Sequence, residues 1–220
     1  MWRRRRDRGP WLLWRRWRDR GRRGYCDGVG VIAGLILAAG AGTRFGDQSK
    51  LLAELDGRPL LEYAVAAQCA VPELDRIVVV LGAHADEVLE RVDLRRAEPV
   101  ICADWHTGQA ASLRCGASAL AGAGKVIVTL GDEPLLTPAL IGRFVDQPGA
   151  SRAVYDGRPG HPVVLGAAQL KALSELTGDR GARSLLHGGP LIECGHLGSG
   201  RDVDTPDDLE EIRNEARAVI

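Results

Sequence analysis

The feature that most constrains this chain is a series of short, uninterrupted apolar runs separated by helix-like segments. VIAGLIL (31–37), RIVVVLG (76–82), PVICA (99–103) and KVIVTL (125–130) are predominantly apolar, mostly rich in β-branched residues, without alternation of apolar and polar positions. Strands of that kind are apolar on both faces, so they belong in a parallel sheet covered by helices on both sides. Helix-like segments stand between them. LLEYAVAAQ after Pro59 presents Leu60, Leu61, Ala64 and Val65 on one face, and ADEVLERV reads as a short helix. Two further helices are expected from about Gly108 to Leu120 and from Pro138. The second half is less regular: RAVYDG and HPVVLG read as a strand pair, QLKALSEL as a helix and PLIEC as a late strand. A terminal helix opens at Thr205-Pro206, a cap residue followed by proline at the first helical position. No repeat or linker interrupts the pattern. The expected architecture is one α/β domain over 31–220, doubly wound around a mostly parallel, Rossmann-like sheet.

Charge is unevenly distributed. The formal net charge of the 220 residues is zero, but residues 1–30 hold eleven Arg against three Asp, a balance of 11 − 3 = +8 that leaves −8 for the rest. The body is acidic, and no basic nucleic-acid face is expected for it. Four of the five Trp (Trp2, Trp11, Trp14, Trp17) fall in the same basic stretch, which lacks an amphipathic period and is broken by Gly and Pro. It reads as a disordered extension, because the fold signal begins abruptly at Val29–Val31 and needs nothing before it. No run approaches the ~20 apolar residues of a membrane span, and the apolar stretch Pro10–Trp14 is too short for a secretory signal. Five scattered cysteines (Cys26, Cys69, Cys102, Cys115, Cys194) without a CxxC pair suggest reduced thiols in a cytoplasmic protein.

The densest chemical signal is LILAAGAGTRFGDQSKLL (35–52). A buried strand ends in small residues, Gly40, Gly42 and Gly46 let the backbone approach a ligand, and Arg44 and Lys50 add two cations. Backbone N–H groups and cations in that order oppose several negative charges, as a triphosphate cradle must. The string lacks the Gly-Lys-Ser/Thr of a Walker A loop and is no clean GxGxxG, since Phe45 stands where the last Gly would be.

As a whole it resembles the loop of the MobA-like nucleotidyltransferases, and GRPLLEYAV (57–65) resembles the segment that follows there. The resemblance implies a nucleotidyltransferase fold of the glycosyltransferase-A-like kind, with a nucleoside triphosphate bound by Leu37, Ala38, Ala39, Gly40, Ala41, Gly42, Arg44, Lys50 and Ser112. Ala39 in LAAG resembles the cytidylyl-transferring branch more than the guanylyl-transferring one.

Two acidic sites extend the reading. KVIVTLGDEP (125–134) is a strand running into Gly-Asp-Glu-Pro, and ligands gather at such C-terminal strand edges. An Asp there suits Mg²⁺, which takes hard oxygen ligands and bridges substrate phosphates. By resemblance Asp132 is that ligand, whereas Glu133 stands where the family varies and receives no role. RDVDTPDDLEEI (201–212) reads by itself as a capped helix start, with Thr205 the cap and Asp207 and Asp208 favouring the dipole. The family carries a similar string, which makes Asp204 the second metal ligand and Asp202 its reserve. Arg44, Lys50 and Asp132 are thus the expected catalytic set.

Three more strings narrow the branch. DWHTGQAASLRCG (104–116) matches the family at Trp105, Gly108, Ser112, Leu113 and Gly116, and departs from it at Cys102-Ala103 and Gln109. DGRPGHPVVLG (156–166) and GDRGARSLL (178–186) resemble segments of the molybdopterin cytidylyltransferases. They make His161, Asp179, Arg180 and Arg183 the expected acceptor-binding residues. Alone, His161 reads as a structural histidine and the Asp/Arg group as a salt-bridged helix start. His84, His106, His187 and His196 lack metal-ligand spacing, and no GxSxG supports Ser-His-Asp chemistry.

The reading that results is transfer of CMP from CTP to molybdopterin, with Mg²⁺ and release of pyrophosphate, and with a molybdenum hydroxylase apoenzyme as a further partner. The chain also resembles a branch named for nicotine blue oxidoreductases, which implies a reductase on the same fold, although no nicotinamide fingerprint is present. A non-catalytic chaperone for molybdenum cofactor is the third reading, which intact Arg44, Lys50, Asp132 and Asp204 oppose.

Overall fold

The computed structural model describes residues 30–46, 48–176, 178 and 182–218, the side chains of 215–218 excepted. The basic stretch 1–29 and the expected acceptor residues Asp179 and Arg180 lie outside the described residues. Strands β1 (Ile32–Ala38), β4 (Arg76–Leu81), β5 (Glu98–Ile101) and β6 (Lys125–Leu130) form one half of a seven-stranded sheet. The other half is β7 (Arg152–Tyr155), β8 (Arg158–Gly166) and β9 (Leu191–Glu193), and the order across the sheet is β5-β4-β1-β6-β8-β7-β9. A two-residue pair, β2 (Glu54–Leu55) and β3 (Arg58–Pro59), stands apart. β1 is flanked in parallel by β4 and β6, β8 pairs antiparallel with both β6 and β7, and β9 runs parallel to β7. The sheet is mostly parallel with one reversed strand, as the unbroken apolar runs require. The reversal follows from the Asp156-Gly157 turn, where both residues hold positive φ (50° and 78°), the backbone of a tight hairpin.

Alternate β1 residues enter opposite layers. Ile36 packs with Leu61, Val65, Val79 and Ile127, whereas Leu35 and Leu37 pack with Val78, Val80, Leu113 and Val128. Helix α1 (Leu60–Cys69) covers the first face and buries Leu60, Leu61, Ala64 and Val65, the four residues its periodicity selects. It is keyed to the sheet by a buried polar residue: Gln68 donates to Thr129 Oγ1 at 2.9 Å and to the Leu35 carbonyl at 3.4 Å. A Cβ at Gly34 would stand 1.8 Å from Gln68 Oε1, so glycine there makes the room. Helix α3 (Gln109–Ala119) covers the second face, and Gly116 lets it approach Leu35. Helices α2 (Ala85–Arg91), α4 (Pro138–Gly142), α5 (Ala167–Ala172) and α6 (Pro206–Ala218) complete the layers.

Two local expectations change. The QLKALSEL helix starts earlier, at Ala167, and passes into a 3₁₀ turn at Leu173–Glu175. The reduced state expected for all cysteines is corrected for one pair: Cys102 and Cys115 form a disulfide. Cys102 closes β5 and Cys115 lies on the helix packed over that edge, which brings their Cα atoms to 5.9 Å, inside the range a disulfide spans. Cys69 and Cys194 are free thiols. Among the described residues no helix is long and apolar enough to cross a membrane.

Candidate active site

The loop after β1 opens at the C-terminal edge of the parallel strands, where open α/β sheets bind ligands. Gly42 sits in the left-handed region (φ 63°), and a Cβ there would lie 3.1 Å from Lys50 Cγ, so glycine lets the lysine stem pass beneath the loop. Around Gly40 a Cβ would meet nothing within 4 Å, which leaves that backbone open to approach. A cavity of about 430 Å³ lies over this loop. Of the expected nucleotide-binding residues, Leu37, Ala38, Ala39, Gly40, Gly42, Arg44, Lys50 and Ser112 line it, together with Asp132, Asp204, Trp105, His106 and Gln109. Ala41 does not; its carbonyl stands 3.3 Å from His84 Nε2, behind the loop.

Charge is concentrated at the floor of this cleft. Lys50 Nζ lies 2.5 Å from Asp132 Oδ2 and 2.9 Å from Asp204 Oδ1, and Arg44 Nη2 lies 2.7 Å from Asp204 Oδ2. The Lys50 and Asp132 side chains are each 14% exposed, so water screens their contact little, whereas Arg44 is 73% exposed. Burial opposes the Lys50 charge, but Asp132 and then Asp204 more than offset it, and the ammonium is held above the usual lysine range. Asp204 is carried there by the chain before α6. The Val203 N–H donates to the Asp132 carbonyl at 2.9 Å, and Asp208 accepts the Asp204 and Thr205 N–H groups while its own N–H donates to Thr205 Oγ1. The cap is real, and it also aims the carboxylate.

The same two carboxylates are the candidate metal ligands. Asp132 Oδ1 is buried and has no hydrogen-bond partner, and its other oxygen already faces a cation. Among the described residues no three His, Cys, Asp or Glu side chains cluster as a complete cage. Two hard oxygen donors, one with an idle lone pair, fit a cation such as Mg²⁺ that keeps waters and phosphate oxygens in its remaining positions.

A second cavity of about 610 Å³ adjoins the first and shares Leu37, Gln109 and Leu130 with it. The expected acceptor residues His161 and Arg183 line it, as does Asp202, which takes no part in the Lys50 cluster's ion pairs. Glu133, given no role from the sequence, is 2% exposed at its floor, with Oε1 3.2 Å from His161 Nδ1 and Oε2 accepting the Leu130 N–H at 3.2 Å. Burial pushes the Glu133 carboxyl up and the His161 imidazole pulls it partly back. Burial likewise opposes charge on His161, but the Glu133 carboxylate outweighs it and raises the imidazole. Tyr155 donates its hydroxyl to the His161 carbonyl. Arg152, also unforeseen, stands on the wall of the cavity. The available signal for Glu133 was its place: a carboxylate at the mouth of a buried strand, flanked by Pro134.

Known proteins resemble this chain over most of its length. A curated relative, nicotine blue oxidoreductase of Paenarthrobacter nicotinovorans, is 36% identical over 193 residues, 81% of this chain and 94% of that protein. The crystal structure of an Rv0371c homologue from Mycobacterium sp. strain JC1 superposes with a TM-score of 0.72 at 27% identity, covering 88% of this chain and all of the other. Rv0371c of Mycobacterium tuberculosis in complex with manganese gives 0.69 at 26% identity, over 83% of this chain and 98% of that one. The model of the MobA-like NTP transferase domain matches residues 34–194, and the chain belongs to that family.

Proposed function

We propose that this protein transfers CMP from CTP to the terminal phosphate of molybdopterin and releases pyrophosphate. The observation that carries this reading is the Lys50 ammonium held between Asp132 and Asp204 beneath a glycine loop, with a second cavity opening beside it. The acceptor phosphate oxygen forms the new bond to the α-phosphorus as the bond to the pyrophosphate oxygen breaks. Such chemistry asks the protein mainly for positioning and charge stabilisation. Arg44 and Lys50 would face the triphosphate and the departing pyrophosphate, Ser112 the nucleoside, and His161 and Arg183 the acceptor. Asp132 and Asp204 would hold Mg²⁺, which supplies charge neutralisation at the phosphates. The related Rv0371c structure is a complex with manganese, which favours a divalent cation in this reading.

A second reading is favoured by one observation, the 36% identity to nicotine blue oxidoreductase over most of both chains. It would make the second cavity the seat of a reducible ring. Purified protein supplied with molybdopterin and either CTP or GTP, assayed for pyrophosphate, decides between them. Release dependent on CTP is the expected result. Release with GTP alone would overturn the cytidylyl assignment. Oxidation of a reduced nicotinamide cofactor by nicotine blue, without pyrophosphate release, would replace the transferase reading. In the same assay Lys50→Ala should lose ten- to about a hundredfold in turnover, the worth of a charge-assisted contact.

A further inference from the structure

We infer that Arg152 and Arg183 form an anion-binding site in the second cavity, which takes an anionic group of the acceptor remote from its reacting phosphate. Both residues line that cavity, and among the described residues neither has a carboxylate partner. Arg152 Nε is buried and makes no hydrogen bond. Proteins rarely leave such a donor idle, and an arginine fork matches planar or tetrahedral oxyanions. Burial first, and then the neighbouring Arg183 charge, pull Arg152 below the usual arginine range. Two like charges thus lie on one cavity wall, with Arg152 partly desolvated, an arrangement that an entering anion relieves.

The remaining charges in the cavity do not offer that relief. Glu133 is engaged by His161 and by the Leu130 N–H. Asp202 lines the same cavity but makes no ion pair with either arginine among the described residues. The site is also separate from the Lys50 cluster. Arg152 pairs with Val163, and Val163 pairs with Val128 on β6. Asp132 follows that strand four residues later, up to roughly 13 Å of extended chain beyond. An anion held by Arg152 is therefore a second recognition point, apart from the phosphate that reacts. Naming the occupant as part of the acceptor rests on the nucleotidyl-transfer reading; the anion site itself does not.

Inorganic phosphate, titrated into the full chain with backbone amide shifts as readout, tests the site. Shifts are expected at Val163 and Leu186, beside the cavity. Arg152→Met and Arg183→Met should each weaken them at least about tenfold, while Lys50→Ala leaves them unchanged. Unaltered affinity in an Arg152→Met protein that melts like the parent would overturn the inference. So would shifts confined to residues 40–50 and abolished by Lys50→Ala. Should Arg152→Met fail to fold, Arg183→Met carries the test, and undiminished binding there is equally fatal. A chain that keeps the Arg152-dependent phosphate site but releases no pyrophosphate from CTP would refute the proposed function and leave the anion site standing.

Discussion

The two adjoining cavities handle charge in opposite ways. In the nucleotide cleft every cation already has a carboxylate: Lys50 is shared by Asp132 and Asp204, and Arg44 is paired with Asp204. In the second cavity the carboxylate Glu133 is taken by His161, and among the described residues Arg152 and Arg183 stand without one. On the proposed function the first arrangement is an exchangeable set, in which phosphates and a divalent cation would replace ion pairs among side chains. The second holds two arginines without a carboxylate among the described residues. Binding in the first therefore rearranges contacts that the fold already satisfies, whereas binding in the second supplies what the fold lacks.

The sharpest way to break that contrast is at the carboxylates. Asp132→Asn should leave the fold intact and lower metal-dependent turnover by about a hundredfold or more, the scale of several kcal/mol of charge stabilisation. Asp204→Asn should do the same, and the double variant should be scarcely worse than either, because the pair acts as one unit. Additive losses in single-turnover rates would mean that the two carboxylates serve separate ends.

The second cavity predicts a larger effect on stability than on chemistry. His161→Ala strands a buried carboxylate and should cost about 3 kcal/mol in a denaturant melt. Adding Glu133→Gln should recover part of that loss, since no charge is then left unpaired. If the single variant melts like the parent, the Glu133–His161 pair does not hold this wall.

Cys102 and Cys115, 13 residues apart, bracket the segment that carries Trp105, His106, Gln109 and Ser112 into the nucleotide cleft. Reduction, or Cys102→Ser, should lower stability by up to about 3 kcal/mol, the loop-entropy scale for such a separation. CTP affinity should fall while phosphate binding at Arg152 is kept. Equal loss at both cavities, read by the same amide shifts, would show that the two halves are mechanically one.

The smallest effect belongs to Thr205→Ala, which removes the oxygen that accepts the Asp208 N–H at the start of α6. A cost of about 1 kcal/mol is expected in thermal melts. Because the cap also positions Asp204, CTP turnover should fall modestly and phosphate binding at Arg152 should not. Unchanged turnover would show that the Val203–Asp132 backbone bond alone places the carboxylate.

Much of this was legible in the residues because it is local. Apolar runs without alternation identified the parallel strands, the α1 face followed from its spacing, and the Gly40–Lys50 string marked the glycine loop at the end of β1, since turn geometry and periodicity act over a few neighbours. The resemblance then implied which distant acids to join, and Asp132 and Asp204 do meet at one ammonium. Glu133 was passed over, because a carboxylate beside a turn looks solvated until the partner that buries it is known. Asp202 and Ala41 illustrate the same limit: adjacency to a motif does not say which way a side chain or carbonyl faces.

What the sequence by itself determined is therefore the layered α/β class, the place of the glycine loop at the edge of β1 and the residue types available for phosphate chemistry. Only the tertiary structure decided which of them share a charge. Lys50 and Asp204 are 154 residues apart, His161 and Glu133 are 28 apart, and Arg152 finds Arg183 across the cavity wall. Pairing of that kind depends on strand order and register, which set distances and burial, and burial is what turns a weak solvated attraction into a strong constraint. The Cys102–Cys115 bond has the same origin, because a strand end and a helix face become neighbours only when the sheet is wound.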